Sequence, residues 1–169
     1  MIISLTGFMG CGKSSVVREL SKLLCCPFMD LDDVIEDKSG RTIPDIFAAE
    51  GEAVFRQMEL NALQEITIQE GTLVLALGGG TVMTPECAEI VRKRTTCIYL
   101  RAGIGTLISH LEGEAKGRPM LKGESLCSRI EELMGLRSAT YEKAAHIIID
   151  TDGKSIEAIA SEIAGTILN

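Results

Sequence analysis

Gly7-Phe8-Met9-Gly10-Cys11-Gly12-Lys13-Ser14 satisfies the G-x-x-x-x-G-K-[ST] pattern at every defined position. The chemistry such residues can do is phosphate binding. Small residues at 7, 10 and 12 let backbone N–H groups close around an anion, and the positive end of a following helix adds to the attraction. Lys13 is placed to reach the β- and γ-phosphates of a nucleotide. The Ser14 hydroxyl is placed to ligate Mg²⁺, a hard cation held through a few protein oxygens, phosphates and water. Asp30 follows the glycines by about 20 residues, where a dinucleotide-binding fold sets its ribose-binding acid. The spacing G-x-x-G-x-G is not G-x-G-x-x-G, however, and a Lys-Ser pair has no task there.

A phosphate loop must stand between a strand and a helix, and the flanking residues supply both. Residues 2–6 form a short apolar run, and Val16, Val17, Leu20, Leu23 and Leu24 recur at helical spacing. Residues 27–30 read as a second strand, 73–77 as a third with no polar interruption, 96–100 as a fourth and 147–150 as a fifth. Between them lie helical patterns. One runs from Val34 to Ile68, broken at Gly40 and Gly51, with Pro44 opening a short helix over 43–49. Others start at Thr84, a candidate cap, and run to about Arg94, from 104 to 111, and from 125 to 145. Ile156, Ile159, Ala160, Ile163 and Ile167 give the last helix its apolar face. Five strands alternating with helices predict a parallel three-layer α/β domain.

Ligands of such sheets bind outside the carboxyl ends of the strands, so residues following each strand are the candidates. Asp30 and Asp32 follow the second strand, with Asp33 the better fit to a solvated turn or cap. The helical excursion after them is too long for a simple crossover and suits substrate recognition. In it Phe47 and Phe55 supply apolar surface. Arg56 and Glu59 fall three apart on one helical face, the usual spacing of a surface salt bridge. Gly78-Gly79-Gly80 ends the third strand, where a ligand can approach the backbone closely. Residues 113–119 are polar and glycine-punctuated, which fits a mobile lid carrying a cation, Arg118, held extended by Pro119. Arg137 continues the inward stripe of Leu126, Ile130, Leu133 and Met134. A buried arginine needs a counter-charge, either a core carboxylate or an anionic ligand. Residues 152–155, after the last strand, are placed to border a nucleotide base.

Composition narrows the partners. The chain has 169 residues, one domain's worth, with 46% hydrophobic residues and a formal net charge of −7. Nucleic-acid binders need a dense basic patch, and none is present. No signal-like or long apolar run precedes the first strand, so the expected setting is the cytoplasm and not a membrane. The six cysteines, Cys11, Cys25, Cys26, Cys87, Cys97 and Cys127, lack C-x-x-C or zinc spacing and read as reduced thiols. His110 and His146 stand alone and read as structural.

Taken together, GFMGCGKSS, FMDLDDVIE, IFAAEGEAVFRQME, LALGGG, GRPML and the helix bearing Arg137 resemble the shikimate kinases, small P-loop kinases, in order over essentially the whole chain. The resemblance implies a single P-loop kinase domain over 1–169, with a substrate-binding insertion at about 32–61 and a lid at about 112–124. It implies transfer of the γ-phosphoryl group of ATP to the 3-hydroxyl of shikimate, on the route to aromatic amino acids, by a monomer. Carried over, Asp32 orients or deprotonates the nucleophile, Arg56 and Arg137 grip the shikimate carboxylate, and Gly78, Gly79 and Gly80 line the substrate. Gly10, Cys11, Gly12, Lys13, Ser14, Ser15 and Arg118 meet ATP, Lys13 and Arg118 also serving catalysis. Ser14 and, through water, Asp30 hold Mg²⁺. Relatives that carry an Arg in the turn before the lid differ from this chain, which has His110-Leu111-Glu112, so no adenine contact is transferred. Another small-molecule kinase, such as a gluconate kinase, and a non-catalytic nucleotide-binding regulator are the alternatives.

Overall fold

The computed structural model describes residues 1–8, 12–107 and 126–168. Five strands, β1 (Ile2–Thr6), β2 (Phe28–Asp30), β3 (Leu73–Ala76), β4 (Thr96–Arg101) and β5 (Ile147–Asp150), form one parallel sheet in the order β2-β3-β1-β4-β5. Ile2 stands opposite Leu73 and Ile3 opposite Thr96, so β1 is paired on both edges. Every residue of β1 and β3 is buried, as strands covered on both faces must be. The edge strands β2 and β5 are partly exposed.

Besides a helical stretch at 104–107, seven helices surround the sheet among the described residues: α1 (Lys13–Leu24), α2 (Leu31–Ser39), α3 (Ile43–Glu50), α4 (Glu52–Thr67), α5 (Pro85–Arg94), α6 (Leu126–Ala144) and α7 (Ile156–Leu168). Val16, Val17 and Leu20 of α1 and Ile159, Ala160 and Ile163 of α7 are buried where these two helices pack together. On the other side α5 packs against α4, α6 and β4. The parallel three-layer α/β architecture expected from the sequence is therefore present. The chain passes from β1 outward to β2, back to β3, then across to β4, so the direction of winding reverses at β1. That reversal opens a crevice at the carboxyl end of β1, where the phosphate loop begins.

Local differences from the sequence reading have physical reasons. β3 stops at Ala76 and not Leu77, although Leu77 N–H still donates to Leu5 O at 3.0 Å. Thr84 occupies the N-cap position of α5 without a side-chain capping bond, and Pro85 opens the helix with a preset φ. The cap of α2 is Asp30 and not Asp33, because Asp30 alone precedes the first helical residue with an extended backbone. Residues 104–107 are helical, and the remainder of the helix expected to 111 lies outside the described residues. The lid with Arg118, and Gly10 and Cys11 of the loop, lie outside them too.

Four cysteines, Cys25, Cys26, Cys87 and Cys97, are free thiols, as expected. Burial pushes Cys87 up to about 12 and Cys97 to about 11, so both are inert near neutrality. His146 is structural, its Nδ1 accepting from Cys97 N–H at 2.9 Å. Among the described residues no helix is long and apolar enough to cross a membrane.

Helix α1 ends in a left-handed residue, the position where helices favour glycine, yet the residue is Cys25 (φ 51°, ψ 46°). A side chain there is strained. Replacing Cys25 by Gly is expected to raise stability by up to about 1 kcal/mol, the relief of strain exceeding the added freedom of the unfolded chain. Thermal unfolding of Cys25→Gly checks this, and a lowered midpoint would mean that the thiol, 3.7 Å from Lys22 O, closes the helix instead.

Candidate active site

Lys13 is the first residue of α1, following the N-cap Gly12, whose left-handed backbone (φ 89°) turns the chain from loop into helix. The first-turn N–H groups of a helix have no intrahelical partners and attract anions. Ser14 and Ser15 are exposed at this terminus. The Lys13 ammonium donates to Gly7 O at 2.6 Å and to Phe8 O at 3.4 Å, which lays its side chain across the strand end of the loop.

Asp30 ends β2 and caps α2. Its Oδ1 accepts from Asp32 N–H at 2.9 Å and from Asp33 N–H at 3.4 Å. The cap fixes Asp32 in the first turn of α2, aimed at the glycines after β3: a Cβ added to Gly78 would stand 3.1 Å from Asp32 Oδ1. Burial first, then the negative charges of Asp30 and Glu59, push the Asp32 carboxyl up to about 6, against an opposing pull from Lys13. A carboxylate titrating so near neutrality can take a proton from a hydroxyl.

Arg56 and Glu59, three apart on α4, are paired as their spacing suggests, with Nη1 to Oε1 at 2.9 Å. The pair is not a surface salt bridge. Glu59 is 1% exposed, and its Oε2 accepts from the buried Thr81 hydroxyl at 2.8 Å. With both oxygens engaged, Glu59 holds Arg56 against Gly80, where a Cβ would lie 2.6 Å from Arg56 Nη2. The guanidinium carbon also sits 5.2 Å from the Phe55 ring centroid, and Phe55 in turn stacks on Phe47 at 4.9 Å. Two glycines that the sequence offered to a ligand thus also make room for the site's own Asp32 and Arg56.

Arg137 is half-buried on α6, on the same face as the buried Ile130, Leu133 and Tyr141. No ion pair joins it to a carboxylate among the described residues. One turn further on, the Tyr141 hydroxyl donates to Gly79 O at 2.5 Å, and its ring lies 5.2 Å from that of Tyr99. Helix α6 is therefore fastened to the glycine turn. Glu59, Thr81 and Tyr141 were not read as site residues from the sequence. An aromatic residue four beyond Arg137 on an inward stripe was the signal for Tyr141, whereas the burial of Glu59 depends on packing between distant elements.

On the other side of Gly12 a cavity of about 380 Å³ is bordered by Thr106, Thr151, Gly153, Lys154 and Ser155, with Ile156 and Ile159 as its apolar wall. Residues 153–155 stand where the sequence put the edge of a base site. Asp152 turns away, accepting from Gly103 N–H at 3.1 Å and from the Thr106 hydroxyl at 2.6 Å.

A parallel sheet with a phosphate-loop lysine at its winding reversal, and a near-neutral carboxylate across from it, defines an ATP-dependent phosphotransferase of the P-loop kinase class. The comparisons narrow the class. The family model for shikimate kinase matches residues 9–168. The chain is 42% identical over 161 residues to a shikimate kinase of Thermus thermophilus, covering 95% of this chain and 86% of that one. With the shikimate kinase of Dictyoglomus turgidum it shares 39% identity over 166 residues, covering 95% and 94%. It superposes on the shikimate kinase from Acinetobacter baumannii in complex with shikimate with a TM-score of 0.90 at 36% identity, over 99% of this chain and 92% of that one. The chain belongs to the shikimate kinase family.

The raised Asp32 acid has a consequence for stability. Its folded value lies above its ordinary one, so folding favours the neutral form and ionisation opposes folding. The penalty grows as pH climbs from about 4 through about 6 and is complete above that, on the order of 2–3 kcal/mol. Asp32→Asn is therefore expected to be more stable than the parent at pH about 8 and no more stable at pH about 4. Denaturant titrations of both proteins at the two pH values check it. A variant less stable at pH about 8 would show that Lys13 stabilises the Asp32 charge by more than burial opposes it.

Proposed function

We propose that this chain carries out phosphoryl transfer from ATP to the 3-hydroxyl of shikimate, with its residues in the following roles. Asp32 accepts the proton of the hydroxyl as its oxygen bonds to the γ-phosphorus and the bond to the ADP oxygen breaks. The observation that carries this reading is the position of Asp32, half-buried, raised to about 6, and near enough to Lys13 to be influenced by its charge. Lys13 and Arg118 offset the charge that builds on the transferring group. The loop from Gly10 to Ser15, Gly12 included, holds the phosphates.

Arg56 and Arg137 grip the substrate carboxylate from two helices, α4 and α6, and the turn Gly78-Gly79-Gly80 presents backbone N–H groups between them. Glu59 keeps Arg56 extended over that turn. The donor set at the phosphate end suits Mg²⁺: an exposed Ser14 hydroxyl at the start of α1, and Asp30, whose Oδ1 is already engaged as a cap, so that it acts through water. Mg²⁺ would neutralise phosphate charge there. ATP and shikimate are the partners in this reading, with no nucleic acid and no membrane, for a monomer in the cytoplasm.

Mg²⁺-dependent ADP release from ATP that requires shikimate is the expected activity, measured in a coupled assay. Turnover with gluconate or a nucleoside monophosphate in place of shikimate would reassign the acceptor, and no turnover with any acceptor would favour a nucleotide-binding regulator. Arg137→Ala is expected to raise the KM for shikimate about tenfold or more, the loss of a charge-assisted contact, and to leave the KM for ATP unchanged. An unchanged KM for shikimate would remove Arg137 from the carboxylate grip.

A further inference from the structure

The structure assigns Tyr141 a role as the positioning residue of the acceptor site, through its hydrogen bond to the Gly79 carbonyl. A peptide unit is planar and trans, so the Gly79 C=O and the Gly80 N–H point in opposite directions. Anchoring the oxygen therefore aims the N–H. Tyr141 is fully buried at 0% exposure, and its hydroxyl donates to Gly79 O at 2.5 Å. Its ring is held by Tyr99, itself 1% exposed on β4, with centroids 5.2 Å apart. The anchor is thus a rigid part of the core and not a surface contact.

The peptide it anchors carries a usable donor. Gly80 is buried, and its N–H has no hydrogen-bond partner among the described residues. Buried backbone N–H groups are paired in nearly every native structure, so one left over at the carboxyl edge of a parallel sheet is a donor kept for a ligand. Two later N–H groups are already used, Thr81 N–H donating to Gly78 O at 3.2 Å and Met83 N–H to Gly80 O at 3.1 Å. Drawing electron density from the Gly79 oxygen also makes the Gly80 N–H a stronger donor, since hydrogen bonds through one peptide polarise each other.

The same bond sets the spacing between two other groups. Arg137 lies one helical turn before Tyr141 on α6, and the Arg56 guanidinium rests against Gly80. Tyr141 is the hydrogen bond by which α6 is tied to the turn that Arg56 covers. It therefore holds the element carrying Arg137 in register with the turn that seats Arg56. No phenol–substrate contact is involved, and Lys13, at the phosphate end on α1, is held instead by Gly7 O and Phe8 O. The effect of losing the bond should fall on the acceptor alone.

This inference rests on the reading of Arg56, Arg137 and Gly80 as the acceptor's partners. Tyr141→Phe keeps the ring and its packing and removes only the hydroxyl. The expected result is a KM for shikimate raised about five- to tenfold, with the KM for ATP unchanged. Ser4→Ala is the control, because it removes another buried hydroxyl bond, 2.7 Å from the central strand to Thr95 just before β4, away from the carboxyl ends of the strands. It should lower the unfolding midpoint and leave both KM values as they are. An unchanged shikimate KM in Tyr141→Phe, with or without a lowered midpoint, would make the bond merely structural and overturn the assignment. Parallel changes in both KM values would overturn it as well, as a general loosening. Absence of shikimate-dependent turnover in the parent protein would overturn the function and the assignment together, which separates that failure from a failure of Tyr141 alone.

Discussion

A carboxylate removed from water must be given partners for its charge, and Glu59 is where this requirement organises the molecule. At 1% exposure it can bond only inward, to Arg56 on its own helix and to Thr81 beyond β3. The second bond joins the helical insertion to the turn that follows a central strand, and the first holds Arg56 beside that junction. Removing one partner of such a pair costs about 3–5 kcal/mol, because the charge left behind stays buried. Arg56 is consequently not free to swing into solvent, as a lone surface arginine would, and the entropy of fixing it is already spent in folding.

The same interior that holds Arg56 works against Asp32. Burial raises its carboxyl, and Asp30 and Glu59 stand near enough to raise it further. The fold thereby keeps one carboxylate satisfied, Glu59, and leaves the neighbouring one poised, Asp32, with only Lys13 pulling in the other direction. Asp30 shows how this is arranged at the level of the backbone. By capping α2 it fixes the direction of the first turn, and so places Asp32 against Gly78, where an added Cβ would crowd its Oδ1 at 3.1 Å. Local stability is given up at Asp32, the base of the proposed reaction, as pKa shifts at functional sites commonly reflect.

What was legible in the sequence follows from how local each feature is. The phosphate loop depends on backbone N–H groups and on glycine spacing, both written in eight consecutive residues, and Gly12, Lys13 and Ser14 stand where that pattern puts them. The strands were legible because β1 and β3 are covered on both faces and need an unbroken apolar run. Glu59 was misread as half of a surface pair, since spacing on a helix reports which residues are neighbours and not what packs over them. Asp33 was favoured over Asp30 as a cap because a helix boundary one or two residues off changes which acid precedes it. The bonds that Tyr141 and the Thr81 hydroxyl make were not legible, for a stronger reason. Their partners, Gly79 O and Glu59, come from other parts of the chain, 62 and 22 residues away.

The two halves of the site are therefore built by different means. The donor half is a motif: a loop and a helix terminus that any nucleotide-binding chain can carry, recognising phosphate through the backbone. The acceptor half has no contiguous motif. In the proposed reading it is assembled from α2, α4, the turn after β3 and α6: Asp32 follows the Asp30 cap, Arg56 is held by Glu59, which is itself bonded to Thr81, and the glycine turn is held by Tyr141 of α6. Binding a small carboxylate by groups from four elements demands that those elements be fixed relative to one another to within a fraction of an ångström, since misplacement by 1 Å can cost about 100-fold in rate. Buried hydrogen bonds between elements supply that fixity. Specificity for the acceptor is thus a property of the tertiary structure, and it is in these inter-element bonds, more than in the residues that touch the substrate, that one small-molecule kinase of this architecture can differ from another.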